Sequence, residues 1–170
     1  MSGFQYLVPA SDFIFKTWTF ISLATIPAMV FVFLLLWAKG VGIKKAALII
    51  VAALALTYGL EPALTGGFDK NYGFVYNGTH LSLWAWGAPE FVDYDVSACE
   101  KSWYKGSEVE IRREFGVGVP GFGAMGTLSI NGVEGYGFLA SGYEYVLFID
   151  CGQAKFILGA PGFEPVRISP

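Results

Sequence analysis

Apolar positions fill roughly the first sixty residues almost without interruption; in the remainder they alternate with polar ones. Thr17–Ala38 (TWTFISLATIPAMVFVFLLLWA) contains no charged residue, and Ile43–Leu60 carries charge only at its start, on Lys44 and Lys45. A bilayer core of ~30 Å requires ~20 apolar helical residues. The first run meets that length. The second is shorter, but its two lysines can reach the interface along their methylene stems. The pattern therefore predicts a hairpin of membrane helices at about 17–38 and 43–60, within a membrane segment over 1–62. Pro27 falls inside the first helix, where a bilayer tolerates a proline as a bend. Glu61-Pro62 is expected to end the second helix, because proline cannot continue one. Thr65-Gly66-Gly67 then reads as a linker.

Beyond it the period changes to two. In Thr79–Trp86, Leu81, Leu83 and Ala85 share one face, and His80, Ser82, Trp84 and Trp86 the other. Gly87-Ala88-Pro89-Glu90 turns the chain, and Phe91–Glu100 alternates again. Ser107–Phe115 places Val109 and Ile111 inward and Glu108, Glu110 and Arg112 outward. Val117–Gly126 (VGVPGFGAMG) reads as a glycine-rich loop, without the Lys-Ser/Thr of a phosphate-binding loop. Thr127–Ile130 and Val133–Ser141 flank Asn131-Gly132, the dipeptide that supplies the two positive φ angles of a type I′ turn. Glu144–Ile149 and Lys155–Leu158 flank Asp150-Cys151-Gly152-Gln153, expected to be a second hairpin of the same kind. About seven short strands predict a small antiparallel barrel or sandwich over 68–170.

Charge divides along the same boundary. The whole chain has a net charge of −3, with 54 % hydrophobic residues. From Glu61 onward there are 13 acids and 7 Lys plus Arg, a balance of −6. Such a domain repels nucleic acid and anionic lipid surfaces at long range, so neither is an expected ligand. The connection between the helices carries Lys39, Lys44 and Lys45 and no acid. Lysine-rich short loops stay in the cytoplasm, which places the β domain outside. The first apolar run exceeds the ~7–15 residues of a signal-peptide core, and Trp37-Ala38-Lys39-Gly40 leads directly into more apolar sequence. Retention as a helix is the expectation.

Arg112–Phe122 (RREFGVGVPGF), followed by Gly126-Thr127-Leu128, Gly132, Tyr136–Ser141, Tyr143–Ile149 and Lys155–Leu158, resembles the membrane-anchored pleckstrin-homology-like (PH-like) domains of bacteria and archaea. The resemblance covers roughly residues 71–165. It implies an α+β membrane protein, with a two-helix anchor followed by a small antiparallel PH-like barrel. Family members end on a proline-rich stretch and a helix that plugs the barrel. Gly159–Pro165 stands there instead, so the end is expected to be covered by Phe163 and Val166 folding back, by the membrane or by a partner. Phosphoinositide binding in the eukaryotic manner uses basic residues in the first hairpin loop. Gly87–Glu90 has none, so that ligand is not expected.

The chemistry-bearing residues are few. His80 is the one histidine, and no metal-ligand spacing surrounds it. Cys99 and Cys151 allow three readings: free core thiols, a disulfide, or a redox pair. Redox pairs favour C-x-x-C, and a disulfide needs an oxidising compartment or a hyperthermophile cytosol. Asn77-Gly78-Thr79 matches a glycosylation acceptor and equally a tight turn. Trp84 and Trp86, with Trp103 and Tyr104, form a candidate aromatic interaction surface, weighed against plain core packing. No catalytic set, cofactor site or metal site is expected. The reading is a non-enzymatic integral membrane protein whose β domain serves protein interaction or assembly, with the bilayer and a protein partner or second copy as partners. The alternatives are an accessory subunit of a membrane transport complex, and a redox or other enzyme using Cys99 and Cys151.

Overall fold

The computed structural model describes residues 3–65, 71–85, 92–119 and 121–165. The expected linker glycines Gly66 and Gly67, the turn at Gly87–Glu90 and Val166 lie outside the described residues. The protein is α+β. It divides into two compact units, Pro9–Lys70 and a second formed by Met1–Val8 with Asn71–Pro170.

The first unit is a helical hairpin of α1 (Ala10–Ala38) and α2 (Ile43–Thr65). Gly40, at φ 77°, ends α1, and Val41 N–H bonds back to the Leu36 carbonyl. The helices meet where Ser22 Oγ and Tyr58 Oη share a 2.6 Å hydrogen bond and Trp18 lies edge-on to the Tyr58 ring. α1 carries the one stretch among the described residues long and apolar enough to cross a membrane, Ile14–Ala38, with mean hydropathy 2.4. The second expected span does not qualify by the same measure. Its uninterrupted aliphatic run starts only after Lys44 and Lys45 and stops before Thr57-Tyr58-Gly59, leaving Ala46–Leu56 against the ~20 residues a core needs. Helix α2 also passes Pro62 and ends at Thr65. In a last turn, proline forfeits one backbone bond without stopping the chain.

The second unit contains ten strands among the described residues, not about seven: β1 (Phe4–Pro9), β2 (Asn71–Tyr76), β3 (His80–Trp84), β4 (Val92–Asp95), β5 (Glu100–Lys105), β6 (Ile111–Val119), β7 (Gly123–Ile130), β8 (Val133–Ala140), β9 (Tyr145–Asp150) and β10 (Lys155–Gly159). They form a four-stranded sheet, β1-β2-β3-β4, and a six-stranded sheet, β5-β9-β10-β8-β7-β6. The expectation of an all-antiparallel domain is corrected at one ladder: β10 runs parallel to β8. The chain leaves β8, forms β9 one place further out, and inserts β10 between them. The pattern of apolar positions gives no sign of β1.

The sheets meet through aromatic rings. Phe74 from β2 and Phe138 from β8 are fully buried, and Phe74, Tyr76, Phe4 and Trp103 all contact Phe163. Phe163 thus folds back from the C-terminal segment into the space between the sheets. Leu81 and Leu83 supply the inner face of β3, as their alternation predicts.

The six-stranded sheet is strongly coiled, for a connectivity reason. Its two edge strands, β5 and β6, are consecutive in sequence and joined only by Gly106–Glu110. That connection reaches at most roughly 20 Å, whereas six flat strands at ~4.8 Å spacing place their edges about 24 Å apart. The sheet therefore curls, and its concave side holds a second core of Leu128, Ile130, Leu139, Val146 and Ile157, with Tyr104, Val109 and Tyr143 packed against it. The glycine-rich stretch is part of this curl, not a loop. Gly116, Gly126 and Gly137 occupy one row across β6, β7 and β8. At Gly116 (φ +134°) a Cβ would lie 2.1 Å from the Met125 carbonyl oxygen, so no other residue fits there.

The Asn131-Gly132 hairpin forms as its dipeptide predicts. Ile130 pairs with Val133, and the two turn residues have φ of 50° and 82°. Asn131 Oδ1 also accepts the Glu110 N–H. Gly132→Val is expected to destabilise the domain by about 1 kcal/mol or more, since a β-branched residue resists positive φ. An unchanged urea midpoint would contradict this. The β9–β10 hairpin also forms, but through the four residues Cys151–Ala154, with Gly152 N–H donating to Asp150 Oδ1.

Candidate functional site

Four strands cannot cover six, and the uncovered part is the most exposed aromatic surface among the described residues of the β unit. One row of side chains crosses the convex face from β10 to β6: Phe156, Tyr136, Thr127, Phe115. Phe156 is 1 % exposed, Tyr136 42 % and Phe115 64 %. The rise marks where the four-stranded sheet ends. Its edge strand β4 contributes Tyr94, 41 % exposed, with its ring 4.8 Å from that of Phe156. Tyr94, Tyr136 and Phe156 line a groove of about 560 Å³ with Thr127, Glu134 and Gln153.

A β-bulge creates the outward Phe115. The β6–β7 register shifts between Arg113 and Phe115, with Glu114 in between. Without the extra residue, positions 113 and 115 would share a face. With it, Arg113 pairs with Leu128 on the concave side and Phe115 with Thr127 on the convex side. Glu114 then accepts a 2.6 Å hydrogen bond from Ser129, the one buried polar residue among those described.

The structure does not bring the expected aromatic patch together. Trp103 and Tyr104 are neighbours on β5 and therefore point to opposite faces. Trp103 packs on Phe163 between the sheets, and Tyr104 packs on the concave core. Trp84 lies opposite Gly73 on the outer face of the four-stranded sheet, and Trp86 lies outside the described residues. Lys39 lies in the helix connection, while Lys44 and Lys45 fall in the first turn of α2.

Cys99 and Cys151 form a disulfide. The β5–β9 register explains it: Glu100 pairs with Asp150, so continuing the ladder by one residue sets 99 opposite 151, with Cα atoms 4.6 Å apart. The bond ties edge strand β5 to β9. Beside it, Asp150 receives Lys155 Nζ and the Gly152 N–H, in that order of effect, which holds its carboxyl below the usual carboxylate range. The Ser97 side chain and then its N–H do the same to Asp95. Depressed carboxyls stabilise the fold above the unfolded value of about 3.9. That contribution disappears as pH falls through the lower native values. Unfolding midpoints are therefore expected to stay level from neutrality to about pH 5 and to drop below about pH 4, less steeply in Asp150→Asn. A midpoint that rises on acidification would refute this.

His80 is exposed, and its Nδ1 lies 3.2 Å from Thr79 Oγ1. Asn77 Oδ1 accepts the N–H groups of Thr79 and His80, so the Asn77-Gly78-Thr79 sequence serves as a turn. Among the described residues no group of three His, Cys, Asp or Glu side chains could hold a metal ion. With this geometry in place, comparison with known proteins finds no matching family model, no matching curated protein and no matching solved structure.

Proposed function

We propose that this is a non-enzymatic membrane protein whose β unit serves protein interaction or assembly through the Phe115–Tyr136–Tyr94 face. The carrying observation is the exposure gradient along one row of the six-stranded sheet, from 1 % at Phe156 to 64 % at Phe115. Large aromatics at the centre of a patch are the usual anchors of protein interfaces. The PH-like reading draws support from the Asn131-Gly132 turn and the paired strands β6 and β7, while the parallel β8–β10 ladder departs from it.

The anchor is the helical hairpin. Leu23, Phe31, Leu48 and Leu56 are each more than 60 % exposed, a surface that lipid covers and water does not. Both helices cross in this reading, although α2 is the less apolar. The support is topological: β1 precedes α1, β2 follows α2, and the two strands are hydrogen-bonded neighbours. A chain that leaves and rejoins one sheet crosses a bilayer an even number of times. The disulfide and the lysine-rich connection together support an extracytoplasmic β unit.

The test is a photoreactive amino acid at position 115 in native membranes, with position 144, also exposed, as control. A discrete protein adduct is expected from 115 alone. An adduct of twice the chain mass indicates self-assembly, and any other mass a separate partner. Absence of an adduct, or equal adducts at both positions, refutes the interface. On intact cells, a membrane-impermeant amine reagent is expected to label Lys105; protection until lysis would place the domain inside.

A further inference from the structure

We propose that the concave side of the six-stranded sheet is a second site, independent of the aromatic face, that binds a small amphiphilic carboxylate such as a medium-chain fatty acid. The curl leaves a groove of about 320 Å³ at the end of β6, β7 and β8. That size is at the low end of the ~300–1,000 Å³ of small-molecule pockets. Its walls are apolar: Ala124, Leu128, Leu139 and Val119. Its rim is polar, with Arg112, Arg113, Ser141 and Tyr143.

Arg113 decides the ligand's charge. Its pairing with Leu128, in register with Ile111 opposite Ile130, puts this side chain on the concave side, and Gly118 leaves room for it: a Cβ on Gly118 would sit 2.1 Å from Arg113 Nη1. Arg112, next to it in sequence, is paired with Glu110, and Lys155 with Asp150. Arg113 has no acid or hydrogen-bond acceptor among the described residues. A free guanidinium at the mouth of an apolar groove matches a carboxylate through two parallel hydrogen bonds. Across the groove, Tyr143 lies over Gly106, so the ring closes the side nearest β5. One unpaired cation, the second being neutralised by Glu110, and one apolar wall fit one anionic head and one short tail. A doubly charged phosphate or a sugar fits neither as well.

The test uses the full chain in lipid nanodiscs, where a tail alone partitions into the bilayer and must be distinguished from the site. The probe is octanoate carrying a tail diazirine, with peptides mapped after irradiation. Labelling is expected in the peptide spanning β7 and β8. It should fall about tenfold or more in Arg113→Gln, recover in part in Arg113→Lys and be unchanged in Lys101→Gln, outside the groove, as expected for loss of a charge-assisted hydrogen bond. Ala124→Phe should abolish it by filling the groove. The neutral amide of the probe should not label β7–β8. Labelling confined to α1 and α2, or equal labelling of β7–β8 in Arg113→Gln or with the amide, overturns the proposal.

Discussion

Replacing Cys99 or Cys151 with serine is expected to lower the stability of the β unit by about 4 kcal/mol. The two residues lie 52 positions apart, so the open chain regains the freedom of a long loop when the bond is lost. A small domain has about 5–15 kcal/mol in total, so the serine variant should be close to unfolding at physiological temperature. The geometry concentrates the effect. β5 is an edge strand paired only with β9, and the disulfide fixes the end of that ladder. Pulse proteolysis of the full chain, with and without reductant, reads the difference. A loss below about 1 kcal/mol would show that the ladder alone holds β5, contrary to the loop-closure account. The alternative in which the cysteines work as a redox pair makes a separate demand, since the serine variant would lose activity while keeping its fold.

Phe138→Ala and Phe115→Ala should differ sharply, although the two residues belong to the same six-stranded sheet. Phe138 is fully buried, with Tyr6, Phe74 and Phe122 rings around it at 5.9, 6.4 and 6.1 Å. Its removal leaves a cavity between the sheets that rigid strands cannot fill, at a cost of about 3–5 kcal/mol. Phe115 is 64 % exposed, and its loss should change stability by no more than about 0.5 kcal/mol. The Phe115 variant should instead lose the partner adducts formed by a photoreactive residue at Tyr136. If Phe115→Ala unfolds the domain, the residue is structural and the interface reading fails.

The legible parts of this chain are those where one local rule acts alone. Leu81, Leu83 and Ala85 alternate, and all are buried. Asn131-Gly132 sits between two apolar runs and forms the tight turn. The charge-free run Thr17–Ala38 lies within α1. The illegible parts depend on distant partners. Phe4–Pro9 is short and runs straight into a helix, and its strand conformation comes from pairing with β2 across the whole hairpin. Val117–Gly126 has the composition of a loop, because glycine is as common in loops as where backbones press together. Only the register with β7 and β8 shows that Gly116 and Gly126 serve the second purpose. The bulge at Glu114 leaves no compositional trace, yet it sends Arg113 and Phe115 to opposite faces. Trp103 and Tyr104 are separable from sequence alone: once they lie on a strand, adjacent residues cannot share a patch.

The pairing of β1 with β2 also sets a timetable for making the protein. β1 leaves the ribosome before either helix exists, and its neighbour in the sheet is synthesised only after both helices are complete. Until then Phe4 and Tyr6, whose rings later contact Phe163, Phe74 and Phe138, have nothing to pack on. The β1–β2 pair can therefore form only after both helices have been synthesised. A chain in which β1 and β2 fail to meet displays an unpaired strand and an open aromatic core.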